Sequence, residues 1–167
     1  HPIDIFKIWE GGLASHGGVM GVIFALWLFV RKNPEFNWMW SADRLSVLTV
    51  MTGIFIRLGN LMNSEILGRP TDGTWGVIFE RVDQIPRHPA QLYESVCYLL
   101  ITILTANIYL RKKAETPSGL LFGVVITLVF SCRFVIEWFK ENQSDFERDM
   151  VINMGQLLSL PFVLVGG

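Results

Sequence analysis

Residues 45–62 read LSVLTVMTGIFIRLGNLM, and the reading of this run decides the fold. It is long enough to cross a bilayer core, for which about 17–25 apolar residues suffice. It holds one charge, Arg57, and one amide, Asn60. A guanidinium in hydrocarbon costs about 2.5–3.5 kcal/mol on insertion scales. The run is therefore either a buried helix of a soluble bundle or a membrane span that carries its arginine for a purpose. The rest of the chain favours the span. Of 167 residues 51% are hydrophobic and only 17% charged, with a mean hydropathy of +0.40. Soluble domains carry about 25% charged residues. Stretches such as GVIFALWLFV (21–30) and GLLFGVVITLVF (119–130) have no polar face.

Working outward, four further runs join the first, giving spans at 13–30, 45–62, 92–110, 119–139 and 152–167. The expected fold class is all-α: a polytopic transmembrane helix bundle of about five spans, residues 1–167 forming one integral membrane domain. The first span is interrupted by His16, Gly17 and Gly18, and the last is short. The chain begins at His1 and shows no signal peptide, so it reads as a piece of a longer protein with spans upstream. A net charge of -1 argues against nucleic acid as a partner. Cys97 and Cys132 both lie in apolar runs and read as buried small residues, not as a disulfide or metal pair.

Basic residues near the span ends set the orientation. Segments 31–44 and 111–118 carry six Lys or Arg in 22 positions, whereas 1–12, 63–91 and 140–151 carry six in 53. The denser set marks the cytoplasmic side, which makes 63–91 an outer loop. Within it, TWGVIFERV (74–82) alternates loosely and predicts a short hairpin.

On this topology the polar residues gather in one layer. His16 falls at the outer end of the first span, and Arg57, Asn60 and Glu65 at the outer end of the second. His88, Gln91 and Glu94 open the third, Arg133 and Glu137 close the fourth, and Gln156 opens the fifth. Arg57 and Asn60, three apart, face the same way, with Gly53 clearing space beneath them. Arg133 and Glu137, four apart, can pair. Blander readings stand beside these: a structural salt bridge for Arg133 and Glu137, snorkelling for Arg57, a hydrogen-bonded helix-end histidine for His16. HPAQLYE (88–94), with Pro89 early in its helix, can equally be a helix start that packs the loop. His88, Gln91, Glu94 and Gln156 are thus weaker candidates than His16, whose neighbours Gly17 and Gly18 expose its ring and free backbone N–H groups for an anion.

No HExxH, phosphate-cradling loop or GxSxG occurs, which argues against the commonest metalloprotease and serine-hydrolase chemistries. Arginine binds phosphate through a fork of donors and stays charged at any pH. Histidine takes a proton near neutrality. Two arginines and a histidine open to lipid therefore suit a phospholipid headgroup. An anionic-lipid-binding or transport protein is the competing class, although the inner halves of the spans carry no charge to pass an anion along.

WEGGLASHGG (9–18), RLGNLMNSE (57–65), RHPAQLYES (87–95), RFVIEWF (133–139) and MGQLLSLP (154–161) occur in order over nearly the whole chain. They resemble the motifs of bacterial prolipoprotein diacylglyceryl transferase. The resemblance implies transfer of a diacylglyceryl group from phosphatidylglycerol to the lipobox cysteine thiol of a preprolipoprotein signal peptide. The products are a thioether and glycerol phosphate, with no cofactor and no metal. It implies a multi-pass protein of the bacterial inner membrane with its site toward the outer leaflet. It also implies N-terminal helices beyond this chain, one bearing a functional tyrosine. The matching positions are His16, Arg57 and Arg133 for catalysis. Arg57, Asn60, Glu65, Gly68, Gly17, Gly18 and Glu137 match for binding phosphatidylglycerol. Two positions depart from the family: Ile56 and Ser64 stand where glycine is usual, which touches the fine geometry near Arg57.

Overall fold

The computed structural model describes residues 15–140 and 154–166. Five helices account for most of them: α1 Ser15–Lys32, α2 Trp38–Met62, α3 Ala90–Lys112, α4 Leu120–Ile136 and α5 Met154–Gly166. A two-stranded antiparallel hairpin, β1 Val77–Ile78 and β2 Pro86–Arg87, lies between α2 and α3. Among the described residues α2, α3 and the stretch Leu120–Phe139 are long and apolar enough to cross a membrane. The chain divides into two compact units, residues 1–42 and 43–167, with α2 running across the division.

In the first unit α1 ends on Arg31 and Lys32, cations that suit the negative end of the helix dipole. Asn37 then starts α2, its Oδ1 accepting the Met39 N–H at 2.9 Å. Phe36 stacks on both Phe29 and Trp40 and so folds the connection between the helices. Gly17 and Gly18 are exposed on α1.

The second unit is built around α3 and α4. Its core is Val50, Tyr98, Ile101 and Val125, with Ile54, Cys97, Leu128, Val129 and Cys132 against it. Gly53 lets the Tyr98 ring lie on α2: a Cβ there would meet Tyr98 Cδ2 at 3.1 Å. Helix α5 packs on α4 through small residues, since a Cβ on Gly123 would come within 2.9 Å of the Gly166 carbonyl oxygen. At the other end of α4, Asp43 of α2 is fully buried. Its two oxygens accept the Gly119 and Phe122 N–H groups at 2.7 and 2.8 Å. The carboxylate thus satisfies donors that a helix start leaves open and complements its positive dipole end.

The loop after α2 is short of regular structure and rich in backbone pairing. Gly68 bridges Lys140 and Pro70 bridges Arg87. Arg69 N–H donates to the Phe139 carbonyl at 2.8 Å, and His88 N–H to the Arg69 carbonyl at 3.0 Å. One extended segment, 68–71, therefore joins the chain just before α3 to the chain just after α4. Gly68 has no room for a side chain, because a Cβ would overlap the His88 carbonyl oxygen.

Candidate active site

The polar layer assembles where α2 and α4 end and α3 begins. Arg57 reaches from α2 to Glu94 on α3, its Nε against Glu94 Oε2. Glu94 Oε1 receives Lys140 Nζ at 2.6 Å, and the same ammonium stands 3.4 Å from Glu137 Oε2. Glu94 is fully buried and Lys140 is 3% exposed. Arg133 of α4 interacts with the Tyr98 hydroxyl and with the carboxylates of Glu94 and Glu137. Tyr98 in turn feels both Arg133 and Arg57. The two arginines, 76 positions apart in sequence, thus share Glu94 and Tyr98 as neighbours. A buried carboxylate stripped of a cation costs about 3–5 kcal/mol, so these charges are mutually dependent.

On the loop side, Asn60 links Arg57 to Glu65. Arg57 Nη1 donates to Asn60 Oδ1 at 3.3 Å, and Asn60 Nδ2 donates to Glu65 Oε2 at 2.7 Å. A carboxylate only accepts and a guanidinium only donates, so the order fixes which way the amide turns. Glu65 reaches back over Asn60 because the chain reverses after α2. Ser64 and Ile66 take φ of +58° and +55°, and Glu65 N–H closes on the Asn60 carbonyl at 2.9 Å. Gln91 is buried, and its Nε2 donates to the Glu65 carbonyl.

The structure sorts the residues singled out from sequence. It brings Arg57, Asn60, Glu65, Gln91, Glu94, Arg133 and Glu137 into one layer. Gln156 is buried at the start of α5, and its Nε2 donates to the Phe134 carbonyl at 3.3 Å, tying α5 to α4 one residue beyond Arg133. His88 belongs to an aromatic group on the loop. Its Nδ1 meets the Tyr93 hydroxyl at 3.2 Å, and its ring stands edge-on to Trp75 and Phe139. Gly68 serves the backbone bridge. His16 lies in the first turn of α1, and its side chain falls outside the described residues. Ile56 is 57% exposed and takes no space beside Arg57.

The direct partner of Arg57 is Glu94, not Glu65, and Glu137 stands against Lys140. The sequence reading ranked Glu94 among the weaker candidates and used Lys140 only to set orientation. Lys140 carried a signal: it stands three residues after Glu137 at the end of an apolar run. Outside the spans, Arg87 grips Asp83, its Nη2 on Oδ2 at 2.6 Å. That hydrogen bond holds the Asp83 carboxyl below its ordinary range, as the Thr74 hydroxyl does for Asp72.

The family described as prolipoprotein diacylglyceryl transferase matches residues 1–167. A phosphatidylglycerol–prolipoprotein diacylglyceryl transferase of Tolumonas auensis is 57% identical over 166 residues, covering 99% of this chain and 64% of the relative. Proteins of the same name from Chloroherpeton thalassium and Bacteroides fragilis are 47% and 50% identical. They are matched over 62% and 56% of their own length and over 99% and 93% of this chain. The chain therefore spans roughly three fifths of these relatives.

Proposed function

Since the chain belongs to the prolipoprotein diacylglyceryl transferase family, we propose that it moves the diacylglyceryl group of phosphatidylglycerol onto the lipobox cysteine thiol of a preprolipoprotein. The observation that carries this reading is that Arg57 and Arg133, from different helices, both interact electrostatically with Glu94 and Tyr98. Two forked cations in one layer fit a phosphate that must first be held and then released.

The reaction is a displacement at carbon. The thiol sulfur bonds to the glycerol carbon that carries the phosphate. The carbon–oxygen bond to phosphate breaks with its electron pair, and glycerol phosphate departs. A free thiol, with pKa about 8.5, is mostly protonated at neutral pH, so a base has to take its proton. His16 is assigned that role; in the alternative assignment Arg133 stabilises the thiolate and His16 orients lipid. Negative charge gathers on the departing phosphate. Arg57 and Arg133 offset it, an effect worth roughly 3–4 kcal/mol per donor where such donors have been removed from other enzymes. Asn60, fixed by Glu65, orients the headgroup. Glu137 holds the cationic side of the layer, and Gly17 and Gly18 leave space beside His16. The spans number five within this chain and sit in the bacterial inner membrane, with the layer in the outer leaflet.

The test is release of glycerol phosphate from phosphatidylglycerol by the full-length protein in detergent, given a lipobox peptide. Release that depends on the peptide thiol supports the reading, and a lipid that stays intact overturns it. Arg133→Lys is expected to lose most activity, since a point charge does not replace a planar fork. His16→Gln separates the two proton assignments: an unaltered rate from about pH 6 to 9 removes His16 as the base.

A further inference from the structure

Glu94 has two carboxylate oxygens and gives one to each of two cations, Oε2 to Arg57 and Oε1 to Lys140. Lys140 also stands 3.4 Å from Glu137 and is almost wholly buried. It is therefore held inside the protein by two carboxylates and is not itself presented to a ligand. Arg57 is less enclosed, its side chain 14% exposed, and so is the cation of the pair nearer the surface. The count of charge matters. Arg57, Arg133 and Lys140 oppose Glu94 and Glu137, which leaves one positive charge in the layer. Glu65 is exposed and engaged with Asn60, where solvent screens it. One phosphodiester carries one negative charge.

We propose that Lys140 is a positioning residue for the anion seat: by sharing Glu94 it keeps that carboxylate from neutralising Arg57, so that Arg57 retains positive charge for a lipid phosphate. The inference rests on the reading of this layer as a phosphate seat. Without Lys140, Glu94 would close on Arg57 alone, and the Arg57–Glu94 pair would be neutral toward a ligand. With neither Lys140 nor the Glu94 charge, Arg57 would again be free to attract an anion. A role confined to holding the fold makes no distinction between anionic and zwitterionic lipids. This one does.

The experiment uses the full-length protein in detergent with three variants, Lys140→Gln, Lys140→Arg and the double variant Glu94→Gln/Lys140→Gln. Binding of phosphatidylglycerol and of phosphatidylethanolamine is measured without acceptor peptide, and KM and kcat for phosphatidylglycerol with a lipobox peptide. For Lys140→Gln the expected result is about a tenfold loss in phosphatidylglycerol binding and a matching rise in KM. Its kcat and its phosphatidylethanolamine binding should stay within about threefold of the parent. Lys140→Arg, which keeps the charge, should lie within about threefold of the parent in KM, and the double variant, which removes one charge of each sign, should bind phosphatidylglycerol more tightly than Lys140→Gln. An unchanged KM in Lys140→Gln, an equal loss for both lipids, or a double variant as weak as the single one overturns the inference. Should Lys140→Gln fail to fold, the double variant decides alone: a folded protein with weak phosphatidylglycerol binding is the contrary result. A parent protein that binds neither lipid overturns the phosphate seat itself, a failure distinct from that of Lys140.

Discussion

Ser64 shows how much a single backbone angle explains. Its φ of +58° lies where a Cβ is crowded and glycine is at ease. Ser64→Gly should stabilise the protein by up to about 1 kcal/mol through relief of that crowding, read as a higher midpoint in thermal unfolding. Gly68 is the opposite case. Its Cβ would overlap the His88 carbonyl oxygen and stand 2.8 Å from that of Phe139, so Gly68→Ala should part the backbone bridge. Loss of folded protein, or faster amide exchange at residues 68–69 and 139–140, is the expected outcome. At this scale the sequence spoke clearly about Arg57 and Asn60, because three-residue spacing on a helix decides which side chains share a face. It was silent on Glu94 as the partner of Arg57. The Arg57–Glu94 contact crosses between helices, and spacing within one element carries no information about it.

The helices themselves were legible, since long apolar runs leave the backbone no alternative to internal hydrogen bonding in hydrocarbon. Their bounds shifted unevenly: the third begins at Ala90, two before the apolar run proper, whereas α2 begins at Trp38, seven before its run. The hairpin was half legible. β1 lies inside the alternating stretch 74–82, but its partner, Pro86–Arg87, does not. The Asp43 cap on α4 was not legible at all, for 76 residues separate Asp43 from the Gly119 N–H that it accepts. Asp43→Ala should cost about 0.5–2 kcal/mol, the range for lost helix caps, with exchange rising first at residues 119–122. In the loop, Arg87 lowers the Asp83 carboxyl below the unfolded value of about 3.9. The contribution of this pair is therefore present above the unfolded value and disappears as pH falls through the lower, folded one. Carboxyl ¹³C shifts of Asp83 in acid should titrate below those of an unpaired aspartate, and Arg87→Gln should move them back toward the ordinary range, with the Ile85 N–H still holding Oδ1.

For the molecule as a whole, the asymmetry of basic residues makes a claim about sides. With Cys97 and Cys132 replaced by serine, a cysteine at position 81 should react with a membrane-impermeant maleimide in intact spheroplasts. One at position 115 should react only after lysis, and the reverse pattern would invert the topology. The cluster of Arg57, Glu94, Lys140, Glu137 and Arg133 draws on α2, α3 and both α4 and the chain just beyond it. The sequence indicated the depth of that layer through hydropathy, while the pairing inside it depends on packing. The bridge between Gly68 and Lys140 has a mechanical consequence. Residues 68–71 are sewn to 139–140 on one flank and to 86–88 on the other, so a tug on the terminus of α4 is felt at the root of α3. Three helix tips travel together like the ribs of a closed umbrella gathered at the ferrule, and any wide opening of this unit has to begin farther down, between the shafts.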